Sequence, residues 1–555
     1  ALALPAAAQT PESPPPGVPP AAVAAAREAI TPETLEGPIA FLADDLLEGR
    51  GPASRGDRLT QLYLASTMQL LGLEPGGPDG SWLQPFAVVG VNATMPETWS
   101  FAKGGETVDL ARAEEFIAAS GVQSPTARID GAELVFVGYG IEAPEYGWDD
   151  FKDADLEGKV LVMLNNDPDW DPELFAGDTR LYYGRWTYKY ESAARQGAAG
   201  AIIVHTTPSA GYPWQVVQTS WSGQQFELPA GDEPRLQVAA WTTEDATKEI
   251  FALAGKSYDD LLAAARTRDF APVPLGVTTS ISMPVEVSQV ETANVAGLLR
   301  GSDPEHADEV VIFTAHHDHL GISEDESAED RIYNGALDNA SGTAQVLAMA
   351  RAFTELPEPP ARSLLFLFVG AEEQGLLGSK YYAAHPTFHP GKIAANLNFD
   401  GANIWGETRD LTLVGKGKSD LDRVAESLAS WQGRRLEPDQ FPDRGFFYRS
   451  DQFSFAKIGV PALYFDGGTD FVGRPEGWGE ERVNEWTEEH YHQPSDELED
   501  DWNFAGMVQD ALLGFYAGYV IAEQEAMPGW VPGDEFEAAR QAALAEAEGE
   551  CGGGE

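Results

Sequence analysis

Short apolar runs in the second half of the chain restrict its fold more than any other feature. Val310–Thr314, Leu364–Val369, Lys392–Phe399 and Pro461–Phe465 each read as a strand, and Leu364–Val369 carries no polar side chain at all. A strand that is apolar on both faces has to be covered on both faces. Between the first two runs, Gly342–Phe353 is an Ala-rich amphipathic helix. This order predicts an α/β fold: a mixed, mostly parallel central sheet flanked by helices.

Upstream, residues 21–72 have helical spacing. Thr31-Pro32 supplies an N-cap followed by proline at the first helical position, Leu59, Leu62, Leu64, Met68 and Leu71 recur at helical intervals, and Gly72 closes the run. Leu47–Pro52 is expected to be a turn or loop. Farther on, Ala132–Gly140, Lys159–Met163 and Ala201–Val204 read as strands, and Tyr190–Gln196 as a short helix. Phe536–Glu548 reads as a helix before a glycine-rich end that should fray.

Charge and cysteine content remove several function classes. The 555 residues contain 89 Asp+Glu and 36 Lys+Arg, a net charge of −53. Such a surface repels phosphate backbones, so a nucleic-acid partner is excluded. The single cysteine, Cys551, cannot form an intramolecular disulfide and is badly placed for thiol chemistry. No run approaches the roughly 20 apolar residues of a membrane span, so no integral membrane segment is expected. Ala1–Gln9 reads like the apolar end and small-residue cleavage region of a signal peptide, followed by a Pro-rich spacer, Pro11–Pro20, too polar and stiff to join a core. These features predict a periplasmic or secreted protein.

The chemistry-bearing residues gather after the strands. His316, His317 and His319 stand with Asp318 just past Val310–Thr314, Glu372-Glu373 just past Leu364–Val369, and Asp400 just past Phe399. Asp338 lies in the loop that opens the Gly342 helix, and His490 and His492 sit in a late segment that also contains Asp496. Ligands of α/β sheets bind beyond the carboxyl ends of the strands. Two adjacent glutamates after a fully apolar run are costly unless something compensates their charge, and a divalent metal does so. Zinc pairs need His and Asp/Glu donors and an open position for water. No Gly-x-Ser-x-Gly string offers a serine nucleophile. His205 is expected to be structural, and His306, His385 and His389 fall in expected loops and receive no role.

On Ala315-His316-His317-Asp318-His319-Leu320-Gly321, the Asp338 loop, Gly370–Ser379, Leu397-Asn398-Phe399-Asp400 and Tyr491-His492-Gln493-Pro494-Ser495-Asp496, the chain resembles peptidase family M28. These are co-catalytic zinc aminopeptidases related to glutamate carboxypeptidase. The resemblance runs through about 290–525, and 130–250 resembles the protease-associated (PA) domain often inserted in that family. It implies a β-rich PA insertion (130–250) in a peptidase domain built from 21–129 and 290–525. A return segment (251–289), a leader and linker (1–20) and a tail (526–555) complete the division.

The resemblance also implies roles. Asp338 would bridge two Zn²⁺ ions, with an Asp338–Asn339 peptide that is cis in relatives. His316 and Asp400 would complete one zinc, and Glu373 and His492 the other. Glu372 would be the general base, Asp318 would hydrogen-bond the His316 imidazole, and Tyr448 would stabilise the oxyanion. His319 and His490 are expected to support these residues rather than bind metal. His317 and Gln452 depart from the common Tyr and His, which bears on substrate preference, as do the loops Trp214–Phe226 and Asp443–Arg449. The implied substrates are peptides, cleaved at the N-terminal bond. A glutamate-carboxypeptidase-like activity stays open through Arg444 and Arg449, and a one-zinc glutaminyl cyclase is opposed by the presence of both ligand sets. A receptor that has lost its ligands is opposed by the same residues. The oligomeric state is left open.

Overall fold

Alternation along the strand Ser363–Val369 sets the architecture. Leu364, Phe366 and Phe368 enter one apolar core, and Leu365, Leu367 and Val369 enter another, as the two-residue period of a strand requires. In this computed structural model, which describes residues 13–171 and 174–552, Ser363–Val369 pairs in parallel with Val310–His316. The parallel series continues through Ile393–Asn398 to Ala462–Gly467. Antiparallel partners close both sides. Val295–Leu299 pairs with Leu364–Phe368, and Asp410–Val414 pairs with Ala462–Gly467 and then, in parallel, with Arg435–Pro438. The sheet is therefore mixed, with a parallel centre.

Helices cover both faces. On one side lie Gly342–Thr354 and Ala505–Glu523, where the Phe353 and Phe515 rings meet at 4.2 Å. Pro20–Ala29 and Pro32–Leu42 join the same core. The latter starts as expected: Thr31 caps it, reciprocated by Thr34 in a capping box, with Pro32 in the first turn. On the opposite face, Tyr382 from Leu377–Ala384 and Phe455 from Gln452–Lys457 pack against Ile312 and Leu367.

One expectation about the ends of this region needs correction. The Pro-rich spacer does join the core: Val18 is 4% exposed within it, and the Trp431 indole donates to Ser13 O at 2.8 Å. A stiff spacer loses little entropy on ordering, so the buried Pro15 and Val18 suffice to seat it. Among the described residues one helix, Ala505–Glu523, is long and apolar enough to cross a bilayer, a run the sequence reading does not single out. Of its apolar window 67% is buried inside the protein, as in a core helix, and the expectation of no integral membrane segment is not overturned. The Ala1–Gln9 pattern lies outside the described residues. The final helix spans Glu537–Gly552 and is anchored by buried Arg540, which donates to Pro528 O and Ile393 O.

The chain divides into two compact units. The first comprises Ala1–Phe86, Glu291–Gln440 and Arg449–Glu555, and the second Ala87–Val290 and Phe441–Tyr448. The second has its own core, built on the parallel series Leu134–Phe136, Val160–Leu164, Gly200–His205 and Val238–Thr243 with the helices Trp186–Arg195 and Glu244–Leu253. The segment 130–250 falls wholly within this unit.

Candidate metal centre

Strand register brings the first residues together. His316 ends its strand directly beside Val369, so the turn after His316 and the turn carrying Glu372-Glu373 leave the sheet side by side. Ala371, at φ 56°, reverses the second turn. Asp318 binds the two turns: its carboxylate accepts the Glu372 N–H at 3.0 Å and the Glu373 N–H at 3.4 Å. This differs from the expected role. The His316 Nδ1–H donates to the Asp318 carbonyl at 3.2 Å, and the carboxylate, committed to the amides, stands 3.9 Å away.

Asp338 precedes the Gly342 helix, and its peptide bond to Asn339 is cis. Asn339 ties this loop to the turn holding Asp400. Its Nδ2 donates to Phe399 O at 2.9 Å and its Oδ1 accepts the Gly401 N–H at 2.9 Å. Asp496 holds it from the His492 segment, accepting the N–H groups of Leu337 and Asp338 at 2.8 and 3.0 Å.

The side chains converge. His316 Nε2 is 3.1 Å from Asp338 Oδ1, 3.3 Å from Asp400 Oδ1 and 3.9 Å from Glu372 Oε2. His492 Nε2 is 3.3 Å from Asp338 Oδ2 and 3.0 Å from Glu373 Oε2. Asp338 thus turns one oxygen to each imidazole. His319 Nδ1 lies 2.6 Å from Glu373 Oε1. Among the described residues three overlapping donor groups, each within 4.8 Å, emerge: His316, Asp338 and Asp400; His316, Glu372 and Glu373; and His319, Asp338 and Glu373. His490 stays outside them, its Nδ1 bonded to Ser495.

The electrostatics fit a cation. Burial opposes charge on both imidazoles, yet Glu372, Asp338 and Asp400 hold His316 well above its ordinary range, and Glu373 and Asp338 raise His492 to about 10. Burial works against the Asp338 carboxylate too, but the bonds from His316 and His492 hold it well below its usual range. Burial drives Glu372 well above the carboxylate range, reinforced by Glu373 and Asp400. Binding a cation among these donors would be coupled to the release of protons from them. The His/carboxylate donor set suits zinc.

Tyr448 belongs to the second unit, where it is buried with its ring 6.2 Å from that of Tyr182. In that unit Arg444 lies over the Phe441 ring at 4.2 Å. Arg449, in the first unit, donates to Tyr491 Oη at 3.0 Å. His205 is buried with Nε2 3.1 Å from Tyr212 O, a structural setting.

Sequence reasoning missed residues that support the cluster from below. His317 Nε2 lies 3.1 Å from Asp57, whose carboxylate also accepts from Gln61 and Thr292. Arg50, from the expected Leu47–Pro52 turn, is 1% exposed beneath the His316 and Asp338 loops. Neither stands in a recognisable motif.

Residues 294–516 match peptidase family M28. Aminopeptidase YwaD of Bacillus subtilis is 29% identical over 213 residues, covering 37% of this chain and 40% of that protein. Leupeptin-inactivating enzyme 1 of Streptomyces exfoliatus is 28% identical over 207 residues, 37% of this chain and 44% of its own. The aligned region is thus less than half of either relative. The aminopeptidase from Aneurinibacillus sp. strain AM-1 shares the fold, with a TM-score of 0.52, 20% identity, and coverage of 89% of this chain and 95% of that chain.

Proposed function

We propose, from the match of residues 294–516 to peptidase family M28, that the protein is a zinc aminopeptidase that hydrolyses the N-terminal bond of peptides. The observation that carries this reading is Asp338, whose two carboxylate oxygens face His316 on one side and His492 on the other. In this reading His316, Asp338 and Asp400 would hold one zinc ion, and Asp338, Glu373 and His492 would hold a second. When bound, zinc lowers the pKa of water and polarises the scissile carbonyl.

The remaining work falls to the chain itself. Glu372 is buried and not needed as a ligand in this scheme. Its carboxylate accepts the proton of the attacking water and returns it to the leaving amine. Asp318 orients the Glu372-Glu373 turn through the backbone. Peptide substrates with a free α-ammonium suit a surface of −53 charge. Export belongs to the same reading and rests on the acid excess and the small-residue pattern of Ala1–Gln9.

Paired peptides test the proposal, one with a free and one with a blocked N-terminus. The expected result is release of N-terminal residues from the free-amine peptide only, abolished by chelator. C-terminal release from the blocked peptide would replace it with a carboxypeptidase reading in which Arg449 gains a role.

A further inference from the structure

Arg50 lies outside the 294–516 family match, yet its guanidinium is among the largest fully buried side chains. Its four hydrogen bonds all go to backbone carbonyls. Nε donates to His317 O at 2.8 Å, Nη1 to Asn334 O at 2.5 Å and to Leu42 O at 2.6 Å, and Nη2 to Gly335 O at 2.9 Å. His317 follows His316 directly, and Asn334-Gly335 open the loop that presents Asp338. The clamp is two-way, because Asn334 Nδ2 donates to Ala43 O at 2.7 Å and to Asp45 at 2.9 Å.

The local backbone is shaped for this reach. Glu48, Gly49 and Arg50 all have positive φ, at 53°, 64° and 51°. A Cβ at Gly49 would come within 2.6 Å of Tyr333 O, so glycine is required for the turn to press against the strand that precedes Asn334. Burial lowers the Arg50 pKa to about 10, and Asp318, Asp496, Asp338 and Glu373 resist the fall, leaving the group charged at neutral pH.

We infer that Arg50 is a positioning residue for the metal centre: one buried guanidinium fixes the spacing between the His316 and Asp338 loops, so the helical N-terminal region is an integral part of the site. This deepens the zinc reading above and rests on it. A fork of fixed donors suits the task better than an ammonium, which is a compact point charge. Groups that orient metal ligands typically govern affinity by about 10–100-fold.

The test uses the full chain with Arg50→Lys and Arg50→Gly. Glycine tolerates the left-handed backbone and leaves a guanidinium-sized gap. Zinc affinity is measured by competition with a chromophoric chelator, beside kcat, KM and the melting temperature of the metal-free protein. We expect both variants to remain folded at the assay temperature and to bind zinc about 10–100-fold more weakly. Millimolar guanidinium, but not potassium at equal ionic strength, should restore affinity to Arg50→Gly. Zinc binding within threefold of wild type in both variants overturns the inference. So does loss of the metal-free fold in both, because Arg50 would then hold the fold rather than the site. A wild-type chain that binds no zinc defeats the underlying reading instead, and shows before any variant is made.

Discussion

Asp318 accepts the backbone N–H of Glu372 at 3.0 Å. A carboxylate from one strand end thereby sets the height of the residue proposed as proton carrier on the next. Asp318→Ala frees that turn while leaving the carbonyl that receives His316 Nδ1 in place. The expected outcome is a fall in kcat of about 10–100-fold with zinc content unchanged, measured by steady-state kinetics beside elemental analysis.

Glu372→Gln keeps the shape of the side chain and removes its ability to take a proton. The expected loss in kcat is about 10²–10⁴-fold, with KM and zinc binding close to wild type. An equally active Gln variant would remove Glu372 from the mechanism.

The proposed sharing of Asp338 predicts unequal effects on metal content. His492→Ala is expected to reduce bound zinc from two ions to one per chain, since the His316–Asp400 side is untouched. Asp338→Ala should weaken both. Elemental analysis after desalting against a weak chelator distinguishes the two outcomes, and identical stoichiometry in both variants would count against a shared carboxylate.

In the second unit, burial depresses His205 to about 4, partly offset by its bond to Tyr212 O. The folded chain therefore resists protonation that the unfolded chain accepts near pH 6.5. Stability on this account is full above that pH, declines as pH falls from about 6.5 to 4, and levels off below. The predicted cost is at most about 3 kcal/mol. Melting temperatures of wild type and His205→Gln, compared across pH 4–7, should diverge from about 6.5 downward relative to their separation at pH 7.

Val18→Ala removes two buried methyl groups from the spacer, worth about 0.8 kcal/mol each. Urea unfolding should show a loss of about 1.5 kcal/mol, whereas a spacer held off the core would show none.

Much of the peptidase fold is legible because its information is local. Leu364–Val369 declares a strand by composition alone, and Thr31-Pro32 declares a helix start. The residues that converge at the cluster are legible as candidates because each lies in a short string, and His316, Glu372-Glu373 and Asp400 follow strand ends. Arg50 is hidden for the opposite reason. Its partners are backbone carbonyls up to 285 residues away, and a carbonyl has no sequence signature. The Asp318 carboxylate was assigned to the wrong donor because amide partners are equally unmarked. Val18 was missed because one valine among prolines carries no period.

Glu372 and Glu373 are chemically the same residue, and only their direction separates the proposed proton carrier from the proposed ligand. That direction descends from the interdigitation of Leu364–Val369 with two different cores. A slip of one position would place leucines where phenylalanines fit, and it would bring Ala371 or Gln374 into one of the two places the glutamates now hold. The oily interior of the sheet thus acts as the indexing mechanism of the proposed site, deciding by steric fit which of two identical acids stands where.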